Sequence, residues 1–164
     1  MARFTVTQEI NCNEETFWKV FFDKEFNDKL YIGELGFPKF EVTELRDTDT
    51  QTHRKIQATP KIELPGPLAK LVGPGMTYRE EGVMDKSTKR WAWKIIPSQL
   101  TDKMTNTGAL RIEKMSDTKV RRVAEMVVEA KIFGLGGMLE SSIEKQLREG
   151  WDKSAVFMNK WLAK

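Results

Sequence analysis

The sequence has little of the side-chain chemistry on which many enzymes and secreted proteins depend. Its 164 residues include one cysteine, Cys12, and one histidine, His53. A lone cysteine cannot form a disulfide within the chain, and a lone histidine argues against a catalytic triad or a multi-histidine metal site. No flanking motif pairs the two, so we expect His53 to be an ordinary strand residue and Cys12 a loop or core residue. The sequence predicts no catalytic residue, no metal site and no cofactor.

The chain also lacks a strong charge and a long apolar run. Its 27 Lys and Arg against 24 Asp and Glu give a net charge of +3, too weak to predict nucleic-acid binding, although it would not oppose an anionic membrane. No stretch approaches the roughly 18 apolar residues of a membrane span. Residues 2–10 alternate between polar and apolar and do not resemble a signal peptide. We expect a soluble, cytoplasmic protein with a single domain over residues 1–164.

A strand and two short helices are predicted near the beginning of the chain. Arg3–Ile10 alternates polar and apolar residues, which is typical of a strand. Asn13 followed by Glu14 and Glu15 favours a helix start, because the Asn side chain caps the helix and acidic residues suit its first turn. A second helix is expected over Lys24–Tyr31, ending at the two glycines that follow.

Six strands are predicted next, separated by turns or loops. They are expected over Phe37–Arg46, Thr52–Ile62, Met76–Met84, Thr88–Ile96, Gly108–Met115 and Lys119–Ile132. In the last strand, Ala124, Met126, Val128 and Ala130 share one face, while the opposite face is mostly charged. This pattern predicts an antiparallel sheet with one buried side and one solvated side.

The clearest helical pattern runs from Met138 to Leu162. Its apolar stripe consists of Leu139, Ile143, Leu147, Trp151, Ala155, Met158 and Leu162, spaced three or four residues apart. At about 1.5 Å per residue this helix would be more than about 35 Å long, enough to cross a sheet. Because helices and strands are segregated along the sequence, the predicted fold class is α+β.

The order of elements resembles the helix-grip fold of the START-like, or Bet v 1-like, superfamily, also called SRPBCC. The resemblance covers essentially the whole chain. Its strongest points are the two short helices after the first strand and Phe133–Glu140, where a glycine-rich turn leads into the long helix. This segment, with Trp161 and Leu162, is similar to a bacterial START-like family of unknown function. Leu64-Pro65 followed by Tyr78–Glu80 is similar, to a lesser degree, to the PRELI-type phospholipid carriers.

This resemblance implies a curved antiparallel sheet of about seven strands, gripped by the C-terminal helix over a cavity. It implies no catalytic residue, because the superfamily hosts several unrelated activities. The glycines at 134, 136 and 137 could in principle bind phosphate through backbone N–H groups at a helix start. A hinge is the favoured interpretation, because no GxGxxG pattern and no following Lys-Ser/Thr is present.

Large apolar side chains are predicted to face the space beneath the long helix. They are Trp91, Trp93, Leu110, Met126 and Val128 from the sheet, and Met138, Ile143, Leu147 and Trp151 from the helix segment. Aromatic rings and methionines give adaptable walls for a hydrophobic ligand. The alternative is that these side chains simply fill a core. The implied fold, together with the small residues Gly82, Gly108, Ala124 and Ala130, favours a cavity.

One or two of the polar side chains Tyr78, Glu80 and Arg122 are expected to orient the polar end of the ligand. Glu80 and Glu81 point to opposite faces of their strand, so at most one of them faces inward. Acid–base catalysis by Glu80, Glu81 and Glu113 is the less favoured alternative. For this set of carboxylates, a solvated surface location is favoured over both a headgroup anchor and catalysis.

The segment from Leu64 to Gly75 has two interpretations. Its prolines and glycines exclude a central strand, yet Leu64, Leu68, Leu71 and Val72 are too apolar for a solvated linker. In one interpretation these four residues form a lid that opens at a membrane, with Lys61 and Lys70 meeting anionic headgroups. In the other, the segment is a short helical turn packed permanently on the sheet.

The leading functional hypothesis is non-enzymatic binding or transfer of a lipid or other hydrophobic small molecule, with transient membrane contact and no nucleic-acid partner. The second hypothesis is a cyclase, dehydratase or hydrolase that uses the same cavity, which requires at least two ionisable groups converging inside. A protein-interaction module with a filled core is the third, and an internal cavity would argue against it.

Overall fold

Seven strands and four α-helices make up the protein in the computed structural model, which describes Met1–Lys164. The strands are β1 (Ala2–Ile10), β2 (Lys39–Asp47), β3 (Gln51–Thr59), β4 (Tyr78–Asp85), β5 (Arg90–Pro97), β6 (Met104–Ser116) and β7 (Lys119–Ala130). The helices are α1 (Glu14–Phe21), α2 (Lys24–Asp28), α3 (Gly66–Val72) and α4 (Gly136–Leu162), and a π-helical turn, Lys29–Glu34, follows α2.

All seven strands form one curved antiparallel sheet in the order β1-β7-β6-β5-β4-β3-β2. Short connections pair most consecutive strands, as expected for an antiparallel sheet. Strand β1 instead pairs with β7 at the other end of the chain, with Phe4 opposite Met126 and Gln8 opposite Arg122. The α+β helix-grip architecture predicted from the sequence is thereby confirmed.

The two short helices begin at the predicted type of cap. The Asn13 side chain accepts a hydrogen bond from the backbone N–H of Thr16 at 2.9 Å, and Asp23 caps α2 in the same way. The second helix differs from the prediction, because α2 ends at Asp28 and the chain continues as a π-helical turn rather than an α-helix to Tyr31. Apolar spacing over so short a segment does not distinguish these helix types. The wider turn buries Leu30 and brings Tyr31 to the inner face of the sheet.

Most strand boundaries lie within two residues of the sequence prediction, and two differ by more. Strand β6 begins at Met104 instead of Gly108, because its polar residues Thr105 and Asn106 pair with β7 although they look like a loop. Strand β3 ends at Thr59, and the segment that follows contains helix α3. Polar composition therefore hid part of β6, whereas the presence of α3 agrees with one of the two interpretations of the segment from Leu64 to Gly75.

Gly134 and Gly136 shape the turn from β7 into α4. Gly134 has a φ of +78°, a conformation that side chains with a Cβ rarely adopt. A Cβ on Gly136 would overlap the carbonyl oxygen of Ala130. The N–H of Gly136 also donates to the carbonyl of Ile132 at 2.9 Å. Backbone geometry explains these glycines, which supports the hinge interpretation over phosphate binding.

Helix α4 lies across β1 and β7 and covers the inner face of the sheet. It buries Leu139, Ala155 and Met158 from the predicted apolar stripe. Asn159 fixes the helix to the end of β1, since its side chain accepts from the N–H of Asn11 at 2.9 Å and donates to the carbonyl of Glu9 at 3.1 Å. None of the helices is both long and apolar enough to cross a lipid bilayer.

Candidate functional site

A cavity of about 150 Å³ lies between the inner face of the sheet, the region from α1 to the π-helical turn, and helix α4. Thirteen of its 20 lining residues are hydrophobic. A cavity of about this volume can hold a molecule the size of benzene. The interior is therefore not completely filled, and the remaining space is that of one ring or a short acyl chain.

The structure brings eight of the twelve predicted ligand-binding residues to this cavity. They are Tyr78, Glu80, Trp91, Trp93, Arg122, Met126, Leu147 and Trp151. They come from β4, β5, β7 and α4 and share the inner face because side chains alternate along strands and recur every three to four residues along helices.

The other four predicted residues do not line the cavity. Leu110 and Val128 are completely buried among neighbouring core side chains. Ile143 packs at the junction of the two apolar clusters. Met138 is half exposed, because it lies beside the helix stripe and Leu139 takes the inward position. Periodicity correctly placed Leu110, Val128 and Ile143 on the inner faces of their elements. It did not show which part of the inner face borders the cavity.

The four predicted lid residues lie around helix α3, away from the cavity lining. Leu68 and Val72 are buried against Ala130 and Leu139 in a second apolar cluster. Leu64 and Leu71 are partly exposed. The segment is tied to α4 by Gln146, whose amide nitrogen donates to the carbonyl of Glu63 at 3.0 Å. In this conformation the segment is a packed short helix.

Sequence reasoning missed the contribution of the α1–α2 region and of Arg54. The missed lining residues are Phe21, Phe26, Asn27, Leu30, Tyr31, Leu35, Arg54, Ile95, Gln146, Gly150, Ser154 and Met158. Arg54 had a usable signal, because it shares its face of β3 with buried Ile56 and Ala58. A charged residue on an apolar face is rarely there without a partner.

The space over Gly82 and Gly108 is occupied, which corrects the expectation that these glycines help to create the cavity. A Cβ on Gly82 would overlap the indole of Trp91, and a Cβ on Gly108 would overlap the indole of Trp93. Each tryptophan ring therefore covers a glycine of a neighbouring strand. The glycines thus hold the aromatic wall in place rather than leaving it open.

Arg54 and Glu80 form a buried ion pair at the cavity, with Nη2 of Arg54 3.6 Å from Oε1 of Glu80. Burial raises the pKa of Glu80, and the nearby guanidinium of Arg54 opposes this shift. The guanidinium also stacks on the rings of Phe21 and Trp91, 4.6 and 5.0 Å from their centroids. Its Nε is buried without a hydrogen-bond partner.

Arg122 is the second buried guanidinium, and it is held without a carboxylate. Its Nη2 donates to Oε1 of Gln8 at 2.9 Å, to the carbonyl of Trp151 at 2.8 Å and to Oγ of Ser154 at 3.0 Å. The guanidinium carbon lies 4.6 Å from the centroid of the Trp151 ring. Burial lowers the pKa of Arg122 to about 9, so the group remains cationic at neutral pH.

Two tyrosines add neutral hydroxyl groups to the lining. Burial raises the pKa of Tyr31 to about 12, and the charge of Glu80 contributes to the shift. Burial also raises the pKa of Tyr78 well above its usual value. Both hydroxyls stay protonated at neutral pH and can donate or accept hydrogen bonds.

The remaining sequence candidates lie outside the cavity. Glu81 faces the outer surface, where it pairs with Lys94 at 3.5 Å. Glu113 pairs with Arg111 on the same outer face at 3.3 Å. His53 bonds Gln51 on β3, and Cys12 is buried in the core. No group of three or more His, Cys, Asp or Glu side chains is arranged to hold a metal ion.

Similar solved structures share this architecture at low sequence identity. A START superfamily protein from Mycobacterium smegmatis is 14% identical with a TM-score of 0.61, and 98% of each chain is covered. A protein from Thermus thermophilus is 18% identical with a TM-score of 0.65, covering 97% of this chain and 95% of that one. The Zhui aromatase/cyclase from a Streptomyces species is 11% identical with a TM-score of 0.62, covering 98% and 95%.

These likenesses show the START-like fold. No curated protein sequence matches the chain. A family model described as "Protein of unknown function (DUF2505)" matches residues 5–162, nearly the whole chain. The protein therefore belongs to this family, and it has a START-like helix-grip fold.

Proposed function

We propose that the protein binds a small hydrophobic molecule in the cavity between the sheet and α4. The observation that carries this proposal is a volume of about 150 Å³ with a mostly apolar lining and a cluster of polar groups at its wall. Burial of a ligand's apolar surface would supply roughly 25 cal/mol per Å². The START superfamily protein among the similar structures fits this activity at the level of the fold.

Gly150 supports the same proposal. It lies in the middle of α4, where glycine is less stable than alanine by roughly 1 kcal/mol. A Cβ at this position would meet no atom within 4 Å, and the residue lines the cavity. The stability of the fold therefore does not explain why glycine occupies this position. A ligand would explain it, because the ligand would use the space that a side chain would otherwise fill.

The volume also restricts what the ligand can be. One aromatic ring or a short acyl chain fits about 150 Å³. A diacyl phospholipid, as the PRELI-type resemblance would imply, is much larger than this space. The proposed ligand is therefore a compact hydrophobic molecule or the short end of a fatty acyl chain. If the ligand is a lipid, the proposed function is its transfer between membranes.

The test combines recovery of a bound ligand with a variant that fills the cavity. Protein purified from cells is examined by native mass spectrometry and by solvent extraction. Uptake of hydrophobic probes such as phenylacetamide is then followed by intrinsic tryptophan fluorescence, to which the cavity residues Trp91, Trp93 and Trp151 contribute. The Gly150→Phe variant is expected to weaken binding at least about tenfold, which corresponds to 1.4 kcal/mol.

The matched control is Gly137→Phe, at a second glycine of α4 where a Cβ also meets no atom within 4 Å but which does not line the cavity. This variant should bind as the wild type does. Protein that carries no ligand and takes up no probe would contradict the proposal. Binding that survives the Gly150 substitution unchanged would contradict this location.

A second candidate function is cyclisation or dehydration of a bound substrate. It is favoured by the convergence of Glu80, Arg54 and Tyr31 at one wall of the cavity. Burial raises the pKa of Glu80, which moves a carboxyl toward the range useful for proton transfer. The Streptomyces aromatase/cyclase shares the fold. Incubation with a linear compound that carries several carbonyl groups separates the two functions. A carrier would return the compound unchanged. An enzyme would convert it, and the Glu80→Gln variant would not.

A further inference from the structure

The charges buried at the cavity do not balance. The lining contains two guanidinium groups, Arg54 and Arg122, and one carboxylate, Glu80, a net charge of +1 when all three are ionised. Glu80 pairs with Arg54. No carboxylate lies within ion-pairing distance of Arg122, and Asp152 acts on it only at longer range. The unbalanced charge therefore resides on Arg122.

A buried cation without a counter-ion is unfavourable for folding. Arg122 is only 3% exposed, so it has lost nearly all of its contact with bulk water. Moving an unpaired charged group into a protein interior costs several kcal/mol, and well-packed apolar residues in its place are often more stable. Hydrogen bonds to neutral groups reduce this cost without removing the charge. Stability does not explain why the cation is there.

Arg122 is also held in a fixed orientation. Gln8 accepts from both Nε and Nη2 of Arg122, at 3.2 and 2.9 Å. Gln8 is itself positioned by Asp152, to which its Nε2 donates at 3.0 Å. The plane of the guanidinium is supported by the Trp151 ring. Fixed donors bind an anion without first losing side-chain freedom.

One terminal nitrogen of Arg122 is left free by this arrangement. All of its recorded hydrogen bonds use Nε and Nη2, and Nη1 donates to no protein atom. Arg122 lines the cavity beside Trp151, Ser154 and Met126. A ligand in the cavity can therefore meet an unused, charged donor.

We propose that the natural ligand of the cavity is a small amphiphile with one carboxylate, which binds Nη1 of Arg122 while its apolar part lies against Trp91 and Trp93. A single negative charge would neutralise the excess charge of the site, and a charge-assisted hydrogen bond to Arg122 would be stronger than a neutral one. This inference rests on the proposed function, because it specifies the class of molecule that the same cavity binds. Aromatic carboxylates and short fatty acids share the required chemistry.

Two isosteric pairs of probes test the inference and distinguish an aromatic carboxylate from a short fatty acid as the ligand. Phenylacetate is compared with phenylacetamide, and octanoate with octanamide, by titration calorimetry at neutral pH. In at least one pair the carboxylate should bind the wild type at least about tenfold more tightly than its amide. The pair that shows the larger preference identifies an aromatic or an acyl ligand. Equal affinities of acid and amide in both pairs would overturn the inference and leave the proposed hydrophobic binding intact, whereas no binding of any probe would overturn both.

The Arg122→Gln variant should remove the preference for the carboxylate, so that acid and amide bind this variant with affinities within about twofold of each other. The matched control is Arg111→Gln, on the outer face of the neighbouring strand, where the guanidinium is paired with Glu125 at 2.9 Å. This control should retain the full preference. A preference that persists in folded Arg122→Gln would overturn the inference. If that variant does not fold, the comparison of acid and amide in the wild type decides alone.

Discussion

Trp93 on strand β5 stacks against Trp151 on helix α4, with ring centroids 5.7 Å apart and ring planes inclined by 28°. The contact joins the sheet to the helix directly at the cavity, and the guanidinium of Arg122 also packs against the Trp151 ring. An offset aromatic pair of this kind contributes about 0.5–1.5 kcal/mol beyond its buried area. The stack thus couples the wall of the cavity to the position of the helix.

A double-mutant cycle measures this coupling. Trp93→Leu and Trp151→Leu should each lower the free energy of unfolding by roughly 1–3 kcal/mol. The double variant should lose less than the sum of the two, by about 1 kcal/mol, because the ring contact is lost only once. Urea denaturation followed by circular dichroism provides the measurement. Strict additivity would mean that the two rings do not stabilise each other.

Gly82 should tolerate no side chain, because the indole of Trp91 covers it. Gly82→Ala is expected to lower the free energy of unfolding by about 2 kcal/mol, as the ring or the strand must shift to admit the methyl group. Gly33→Ala is the control, since a Cβ there meets no atom within 4 Å. Thermal unfolding of both variants tests the expectation. Equal melting temperatures for Gly82→Ala and the wild type would show that Trp91 does not occupy this position.

The buried carboxyl of Glu80 should produce a defined dependence of stability on pH. Burial raises the pKa of Glu80 above its usual value of 4.5, with Arg54 opposing the shift. Because the pKa of Glu80 is higher in the folded than in the unfolded protein, Glu80 contributes to stability at pH values below its unfolded-state pKa. This contribution to the free energy of unfolding is lost as the pH rises through the folded-state pKa. Tyr31 and Tyr78 remain neutral in this range, because burial raises the pKa of each phenol.

The Glu80→Gln variant removes this titration. Its free energy of unfolding, taken relative to the wild type, should therefore increase as the pH rises from about 4 to about 7. Urea titrations at several pH values measure the difference. The matched control is Glu81→Gln, on the outer face of the same strand, which removes no buried carboxyl. A difference that stays constant or falls for Glu80→Gln would contradict the assignment of a raised pKa.

The contact between Gln146 and Glu63 gives a test of the lid hypothesis. Gln146 donates to the carbonyl of Glu63 at 3.0 Å and accepts from its N–H at 3.3 Å. Gln146→Ala should increase amide exchange in residues 63–72 by about tenfold and speed ligand entry, if this segment opens locally. Hydrogen exchange monitored by mass spectrometry measures the first effect, and stopped-flow fluorescence the second. Lys145→Ala, an exposed neighbour on α4, is the control. Unchanged exchange would favour the permanently packed helix.

Much of the architecture could be predicted from the sequence because it depends on periodic patterns. The stripe from Leu139 to Leu162 predicted α4, and alternation along β7 predicted its buried face, which includes Arg122. These patterns identify which face of an element points inward. They do not identify where inward-facing side chains leave space, and so Leu110 and Val128 were assigned to a cavity when they belong to the filled core.

The parts that could not be predicted depend on pairings between distant segments. Gly82 is explained only by the position of Trp91 on the next strand. Arg54 becomes a cavity residue because Glu80 lies on the neighbouring strand and Phe21 on a helix more than thirty residues earlier. The register of the strands creates these contacts, and it is set by how the sheet packs in three dimensions. The pattern of residues along the sequence does not contain this information.

The pairing of β1 with β7 has a consequence for how the protein is made. The first strand emerges from the ribosome with its hydrogen-bonding edge unsatisfied, and its partner appears only after more than a hundred further residues have been synthesised. Sequence-distant contacts of this kind slow folding and expose unpaired strand edges during synthesis. The nascent chain can therefore complete its sheet only after β7 has been synthesised, and a chaperone bound to β1 would protect the unpaired edge until then.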